Sequence, residues 1–358
     1  MSAPARPEEI ACLIGIAPWK RRRVAAMLSN PHGPVVERDP ARAVATARAR
    51  GGALACWATR VPPGLERAAR AANVPLWWIE DGFLRSAGLG AALVQPCSLT
   101  LDSQRPHYDP TGPSDLEDLL QTAAFDAAML ARAEALVALL RRARLTKYNL
   151  AGAPLALPSG RRIVLVPGQV EQDHSVRLGN AGVTGMLDLL ARVRAEEPES
   201  FLIYKPHPDV VAGVRPGGMG ERAALQHADL VAPDASLTGL LDRVDAVHVL
   251  TSLTGFEALL RGRDVVVHGQ PFYAGWGLTR DRAPMVRRTR RLTLAELVAA
   301  ALIVYPRYAS ARTGAPCSVE ALAQELADAG PAAVPSGVRA LAGRMAARIA
   351  AVRAGTAR

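Results

Sequence analysis

Short runs of uninterrupted apolar residues recur along this chain, each followed by a segment whose apolar positions fall three and four apart. "IACLIGIA" (10–17), "GGALACWA" (51–58), "VPLWWIED" (74–81) and "CSLTLD" (97–102) read as buried strands, with helical segments "WKRRRVAAMLS" and "ERAARAA" between them. A long amphipathic stretch at 114–145 follows, and Ser114 and Glu117 stand at capping-box spacing at its start. "AGAPLALPSG" (151–160), rich in Pro and Gly, predicts a linker. The rhythm then restarts, with strands at 161–168, 200–208, 245–252 and 264–269 and helices such as "VTGMLDLLARVRAEEP" and "GFEALLRG" between them.

Two blocks of alternating β and α elements predict two Rossmann-like, doubly wound α/β domains, at 1–150 and 151–320, with a basic helical tail at 321–358. Ligands of such sheets bind beyond the carboxyl ends of the strands, which places the site in a cleft between the domains. In the tail, Val338, Leu341, Met345, Ile349 and Val352 recur at helical spacing among arginines. That pattern suits a helix lying on anionic lipid, and equally one closing over a core.

The length of 358 residues is comfortable for two domains, and 49% hydrophobic content is enough for sizeable cores. A formal net charge of +10 draws anionic partners. The main basic run, Arg287-Arg288-Thr289-Arg290-Arg291, has no interleaved aromatics, so it reads as a solvated face or an anionic-surface contact and not as a nucleic-acid interface. Cys12, Cys56, Cys97 and Cys317 form no CxxC pair, which predicts free thiols in a reducing compartment rather than a zinc or redox site. No signal-peptide order and no run of 18 apolar residues occur, so the expected location is cytoplasmic or peripheral to a membrane. Of 43 basic side chains only Lys20, Lys147 and Lys205 are lysine.

Candidate chemistry gathers at predicted strand ends. In "TSLTGFEALLRG" a strand gives way to a helix, so that Ser252, Thr254 and Gly255 can hold a phosphate and Glu257 can accept ribose hydroxyls. An ordinary N-cap produces the same pattern. In "YKPHPD", Lys205 and His207 flank Pro206 and alternate along extended backbone, placing two potential cations on one side. "PGQVEQDHS" sets Gln169, Glu171 and Asp173 beyond a strand, and "WIEDGFLRS" does the same with Glu80, Asp81, Arg85 and Ser86. Carboxylates facing each other across a cleft suit general-base or nucleophile work, although Asp-Gly is also a common turn. "GQPFYAGWGLTRDR" (269–282), with three glycines and three aromatics, predicts a ligand-lining loop that brings Tyr273 and Trp276 to the cleft. No DxD, HExxH, Walker A or GxSxG motif occurs, so no metal-ligand set is visible.

Together, "EDGFLRSAGLG", "VLVPGQVEQDHSVRLG", "YKPHPDVVAG", "TSLTGFEALLRG" and "QPFYAGWGLTRDR" resemble the capsule polysaccharide biosynthesis family of retaining β-Kdo glycosyltransferases. The likeness is to the C-terminal transferase module of the two-module enzyme that builds the poly-Kdo linker of capsules, and "PWKRRRV" and "TKYN" fit it too. It covers about residues 10–320. The resemblance implies a GT-B fold and CMP-β-Kdo as donor substrate. It implies retention of configuration with no cofactor or metal, and a lipid-linked Kdo acceptor at the inner face of the inner membrane. It places the nucleophile on Asp173, an active-site glutamate on Glu80 and the HP-motif histidine on His207, with Ser252, Thr254 and Glu257 in the nucleotide-binding segment. Gln172 and His174 stand where the family pattern has an acidic and a small residue, and "RPHYD" replaces an aromatic-rich segment. One module in place of two implies either a single linkage or a separate partner transferase.

Overall fold

A computed structural model describes residues 9–28, 33–213, 215 and 218–333. The expected amphipathic helix at 336–358 lies outside the described residues. Twelve strands are described: β1 Ile10–Ile14, β2 Val35–Val36, β3 Ala53–Trp57, β4 Leu76–Asp81, β5 Ser98–Asp102, β6 Ile163–Pro167, β7 Phe201–Lys205, β8 Leu230–Val231, β9 Ala246–Val249, β10 Asp264–Val267, β11 Arg280–Asp281 and β12 Arg307–Tyr308. They build two six-stranded sheets, ordered β12-β5-β4-β3-β1-β2 and β11-β10-β9-β6-β7-β8. The second sheet is parallel throughout; in the first, β5 runs antiparallel to β4, and β12 antiparallel to β5.

Both sheets are covered on both faces, which is why their strands read as unbroken apolar runs. Along β3, Ala53, Ala55 and Trp57 enter one core while Leu54 and Cys56 enter another. Along β6, Val164 and Val166 face one core and Ile163 and Leu165 the opposite one. That last core runs from Leu116 and Leu136 of the first half to Leu297 and Leu322 near the end, and so joins the two halves.

Three expectations need correction. The stretch 114–145 is two helices, Asp115–Thr122 and Ala127–Arg142. Ser114 caps the first by accepting from Glu117 N at 3.1 Å, while the Glu117 carboxylate turns to Arg287 and Arg288 instead of completing a capping box. Residues 307–308, assigned by sequence to the second domain, return to the first sheet as β12. Without β12, β5 would be an open edge of the sheet, and the Tyr305 hydroxyl, donating to Asp102 Oδ2 at 2.9 Å, anchors the return. Within 321–358, residues up to Ala329 belong to the helix Val319–Ala329, which buries Leu322 and Leu326 in the shared core and carries no basic side chain.

Cys12, Cys56 and Cys97 are buried free thiols, and Cys317 is half-buried and free. No helix among the described residues is long and apolar enough to cross a membrane.

Candidate active site

The carboxyl ends of β4, β6, β7 and β9 open onto one cleft of about 1060 Å³, lined from both sheets. In β4 the last two residues are Glu80 and Asp81. Glu80 Oε1 accepts the Asp81 N–H at 2.9 Å, while Glu80 Oε2 is buried without a hydrogen-bond partner. Asp81 is ion-paired to Lys20 at 3.2 Å and to Arg85 at 2.8 Å. This difference in partners divides the pair. Burial, reinforced by the Asp81 charge, pushes Glu80 up to about 7 against the pull of Lys20. Burial would raise Asp81 as well, but the Lys20 and Arg85 charges outweigh it and hold Asp81 at about 2. One carboxyl thus titrates near neutrality beside one that stays ionised.

The opposite wall comes from the second sheet. Pro167 of β6 lies in register with Lys205 of β7, so the turns that follow run side by side. Gly168 allows the close approach: a Cβ there would lie 2.7 Å from the Tyr204 hydroxyl and 3.1 Å from His207 N. The β6 turn delivers Asp173 to the N-cap of the helix His174–Gly179, where its carboxylate pairs with Arg215. The β7 turn delivers His207, whose Nδ1 accepts the Asp209 N–H at 3.1 Å. Burial, with Lys147, Arg215 and Lys205 nearby, lowers His207 to about 4, so the imidazole is neutral at pH 7. With Nδ1 accepting, the proton sits on Nε2, which is left as a donor. Burial likewise lowers Lys205 to about 8, and its ammonium donates to the Pro233 carbonyl at 3.0 Å.

After β9, Ser252 caps the helix Leu253–Leu259 by accepting from Thr254 N at 3.2 Å. The Tyr273 hydroxyl donates to the Ser252 carbonyl. Gln169 clamps the same turn, giving its amide to Thr251 Oγ1 at 2.9 Å and accepting Thr251 N–H at 3.0 Å. Glu257 is buried, its proton affinity raised chiefly by that burial, and it accepts the Lys147 N–H at 2.7 Å.

Most sequence-selected residues meet here: Glu80, Asp81, Arg85, Gln169, Asp173, Lys205, His207, Ser252, Thr254, Glu257 and Tyr273 all line the cleft. Four do not. Trp276 is fully buried, with its indole N–H donating to Phe272 O at 2.8 Å; it anchors its loop in the core while Phe272 and Tyr273 face the cleft. Ser86 is buried between Arg85 and the Gly88 carbonyl, at 2.8 Å from each. Gly255 packs inside its helix against Tyr273. Glu171 turns away to accept Met186 N–H at 2.9 Å, capping the helix Met186–Glu196.

Sequence reasoning missed other lining residues. Lys20 and Lys147 line the cleft with Lys205, so every lysine of the chain faces the same space. Their scarcity was the available signal. His107 and Tyr108 also line it, and His107 packs edge-on against Phe83 at 4.9 Å, which itself stacks on Phe272 at 4.4 Å. The basic run also departs from its reading. Arg287 and Arg288 converge on Glu117 at 2.5 and 2.9 Å, and Arg290 pairs with Glu296, so these arginines brace the fold. Outside the cleft, Glu196, His248 and His268 bring possible ligand atoms within 4.8 Å of one another. There the two imidazoles hydrogen-bond at 3.1 Å and Arg282 holds Glu196 at 2.9 Å.

Comparison with known proteins places the chain in a family. A family model described as capsule polysaccharide biosynthesis protein matches residues 52–308. The capsule polysaccharide modification protein LipA of Neisseria meningitidis serogroup A is 45% identical over 255 residues, which cover 71% of this chain and 36% of LipA. The lipopolysaccharide-processing protein LpsZ of Rhizobium meliloti is 39% identical over 333 residues, covering 91% of this chain and 76% of LpsZ. Among solved structures, the beta Kdo 2,7 transferase of Thermosulfurimonas dismutans KpsC superposes with a TM-score of 0.74 at 34% identity, covering 90% of this chain and 99% of that one. The beta Kdo 2,4 transferase of the same KpsC gives 0.74 at 30% identity, covering 88% and 98%. A match over this much of the sequence, with two transferases sharing the two-sheet architecture, assigns the chain to the capsule polysaccharide biosynthesis protein family.

Proposed function

We propose that this chain is a retaining β-Kdo glycosyltransferase of GT-B architecture, moving Kdo from CMP-β-Kdo to a Kdo-bearing glycolipid in capsular linker synthesis. The observation that carries the reading is the meeting, in one cleft, of Glu80 and Asp81 from one sheet with Asp173 and His207 from the other, among all three lysines. A donor bearing a phosphate and a carboxylate matches that charge.

In this reading the second wall holds the nucleotide. Nε2–H of His207, the Lys205 ammonium and the helix start at Ser252 and Thr254 take the phosphate, and the Glu257 oxygen not bound to Lys147 N–H accepts ribose hydroxyls. Asp173 attacks the anomeric carbon, the bond to the CMP oxygen breaks, and CMP leaves with that electron pair. Glu80 then takes the proton of the acceptor hydroxyl as its oxygen displaces Asp173. Two displacements return the starting configuration and divide one barrier into two. The leaving phosphate is neutralised by fixed donors, so the scheme calls for no metal.

The acceptor lipid places the work at the inner membrane surface, with a partner transferase supplying any alternate linkage. A second reading, transfer of another CMP-linked 2-keto sugar to lipopolysaccharide or a related glycolipid, is favoured by the likeness to LpsZ over 91% of the chain. Incubation with CMP-Kdo generated in situ and a Kdo-terminated lipid, with the product identified by mass spectrometry and NMR, decides. A β-linked Kdo product is expected. Turnover of a different CMP-2-keto sugar alone transfers the case to the second reading, and an α-linked product removes double displacement.

A further inference from the structure

Lys147 is fixed at its backbone and open at its head. Its N–H donates to Glu257 at 2.7 Å, and its carbonyl accepts from the N–H groups of Arg85 at 3.1 Å and Ser86 at 3.2 Å. The next residues are tied as firmly: Tyr148 O accepts Gly88 N–H at 2.7 Å, and Asn149 donates to Ser86 O at 2.9 Å. The ammonium sits 5.3 Å from the Tyr148 ring centroid and, among the described residues, has no hydrogen-bond or ion-pair partner. The other two lysines of the cleft are engaged, Lys20 by Asp81 and Lys205 by the Pro233 carbonyl.

The charge of Lys147 acts on both walls. It is felt by Glu80 and Asp81 on one side and by His207, Asp209 and Glu257 on the other. Lys147 lines the cleft, and its backbone bonds reach Arg85 and Ser86 on one wall and Glu257 on the other, so the residue stands where the two halves of the site meet. An unpaired ammonium in a confined polar cleft is a place an anion completes. Under the reading above, the phosphate already has Lys205, His207 and the helix start. The other anion of a 2-ulosonate is its carboxylate, bonded directly to the anomeric carbon and so one C–C bond from the reacting atom.

We propose that Lys147 is the counter-ion of a sugar-acid carboxylate, forming a subsite that selects 2-ulosonates over neutral sugars. The proposal rests on the transferase reading and deepens it. Two carboxylates are eligible, that of the transferred sugar and that of the acceptor's terminal sugar acid. Both present the same chemistry to the ammonium.

The test compares wild type with K147M in three measurements: affinity for CMP by calorimetry, KM for continuously supplied CMP-Kdo, and KM for an acceptor in free-acid and methyl-ester forms. The expected result for K147M is unchanged CMP affinity with a donor KM raised roughly 10- to 100-fold, and partial recovery in K147R. If instead the acceptor KM rises and the preference for free acid over ester disappears, the carboxylate served is the acceptor's. CMP affinity retained with neither KM moved overturns the subsite while the transferase reading stands. A wild type that binds CMP but neither binds nor turns over CMP-Kdo removes that reading and the subsite with it. K147Q replaces K147M should the latter fail to fold.

Discussion

The backbone N–H of Lys147 donates to Oε1 of Glu257 at 2.7 Å, so a single peptide ties the segment that holds the Arg85–Ser86 turn to the helix Leu253–Leu259. Lys147 and Glu257 both line the cleft, so the bond joins its two walls. Glu257 is buried, and removal of its carboxyl leaves an amide in the interior without an acceptor. We expect Glu257→Ala to lower stability by about 1–3 kcal/mol. Glu257→Gln, which keeps an acceptor oxygen, should lose much less, and its defect should appear in donor KM. Urea midpoints for both variants provide the measurement; equal losses would show that the bond to Lys147 is not what Glu257 contributes.

In the general-base role proposed for it, Glu80 is expected to make stability and activity respond to pH in opposite directions. Its carboxyl is raised to about 7 in the folded protein from an ordinary value near 4.5. Between those values the native state binds the extra proton, so this contribution is fully present below the unfolded value and is lost as pH rises through about 7. A general base must be deprotonated, so turnover should climb over the same interval. Melting curves and rate profiles from pH 5 to 9 are expected to diverge in wild type, and Glu80→Gln should flatten the stability trend and abolish turnover. An E80Q protein with the wild-type stability slope assigns the effect to another group. Asp81 behaves oppositely: depressed to about 2, it stabilises above the usual carboxylate range and is lost only as pH falls towards 2.

The parts of the fold legible in the sequence were those written locally. Strands such as Ile163–Pro167, covered on both faces, cannot avoid being apolar runs, and their polar ends are compact motifs. Pairings across the chain leave no local mark. Nothing near Glu117 announces that Arg287 and Arg288, 170 and 171 residues away, will close on it. Nothing in "FYAGWG" separates Tyr273, which faces the cleft, from Trp276, which does not. The return of β12 to the first sheet is similarly silent, because two residues of edge strand have no period to read.

Glu117 carries a buried charge cluster. The Arg288 side chain is 5% exposed and Glu117 9%, and Arg288 also donates to the carbonyls of Pro271 at 2.5 Å and Ala274 at 2.7 Å. Removing one member of such a pair leaves an uncompensated interior charge, at a cost of about 3–5 kcal/mol. Glu117→Ala is expected to show that loss in chemical denaturation. A loss under about 1 kcal/mol would place the pair with surface ion pairs.

Trp276 is expected to act on stability alone. Its ring is fully buried, so Trp276→Ala should cost about 3–5 kcal/mol through the cavity it leaves. Trp276→Phe keeps most of the ring but strands the Phe272 carbonyl that accepts its N–H at 2.8 Å. That variant should be modestly less stable with donor and acceptor KM unchanged. A shifted KM at unchanged stability would return Trp276 to the site.

The pairing of Asp173 with Arg215 bears on the nucleophile role proposed for Asp173. The guanidinium occupies a carboxylate oxygen needed for attack. On the proposed mechanism, the anionic donor would offer Arg215 a competing partner and so free Asp173 when substrate is present. Asp173→Asn should abolish turnover whether Asp173 attacks carbon or serves as a base, so that variant alone does not separate the roles. The nucleophile role requires that wild type given CMP-Kdo without acceptor acquire one Kdo-sized mass on the peptide holding residue 173, together with stoichiometric CMP release. Arg215→Ala should retain the adduct while raising donor KM about tenfold, the loss of one charge-assisted contact. CMP release without an adduct under rapid acid quench, in wild type and R215A alike, would assign Asp173 to base catalysis in a single displacement.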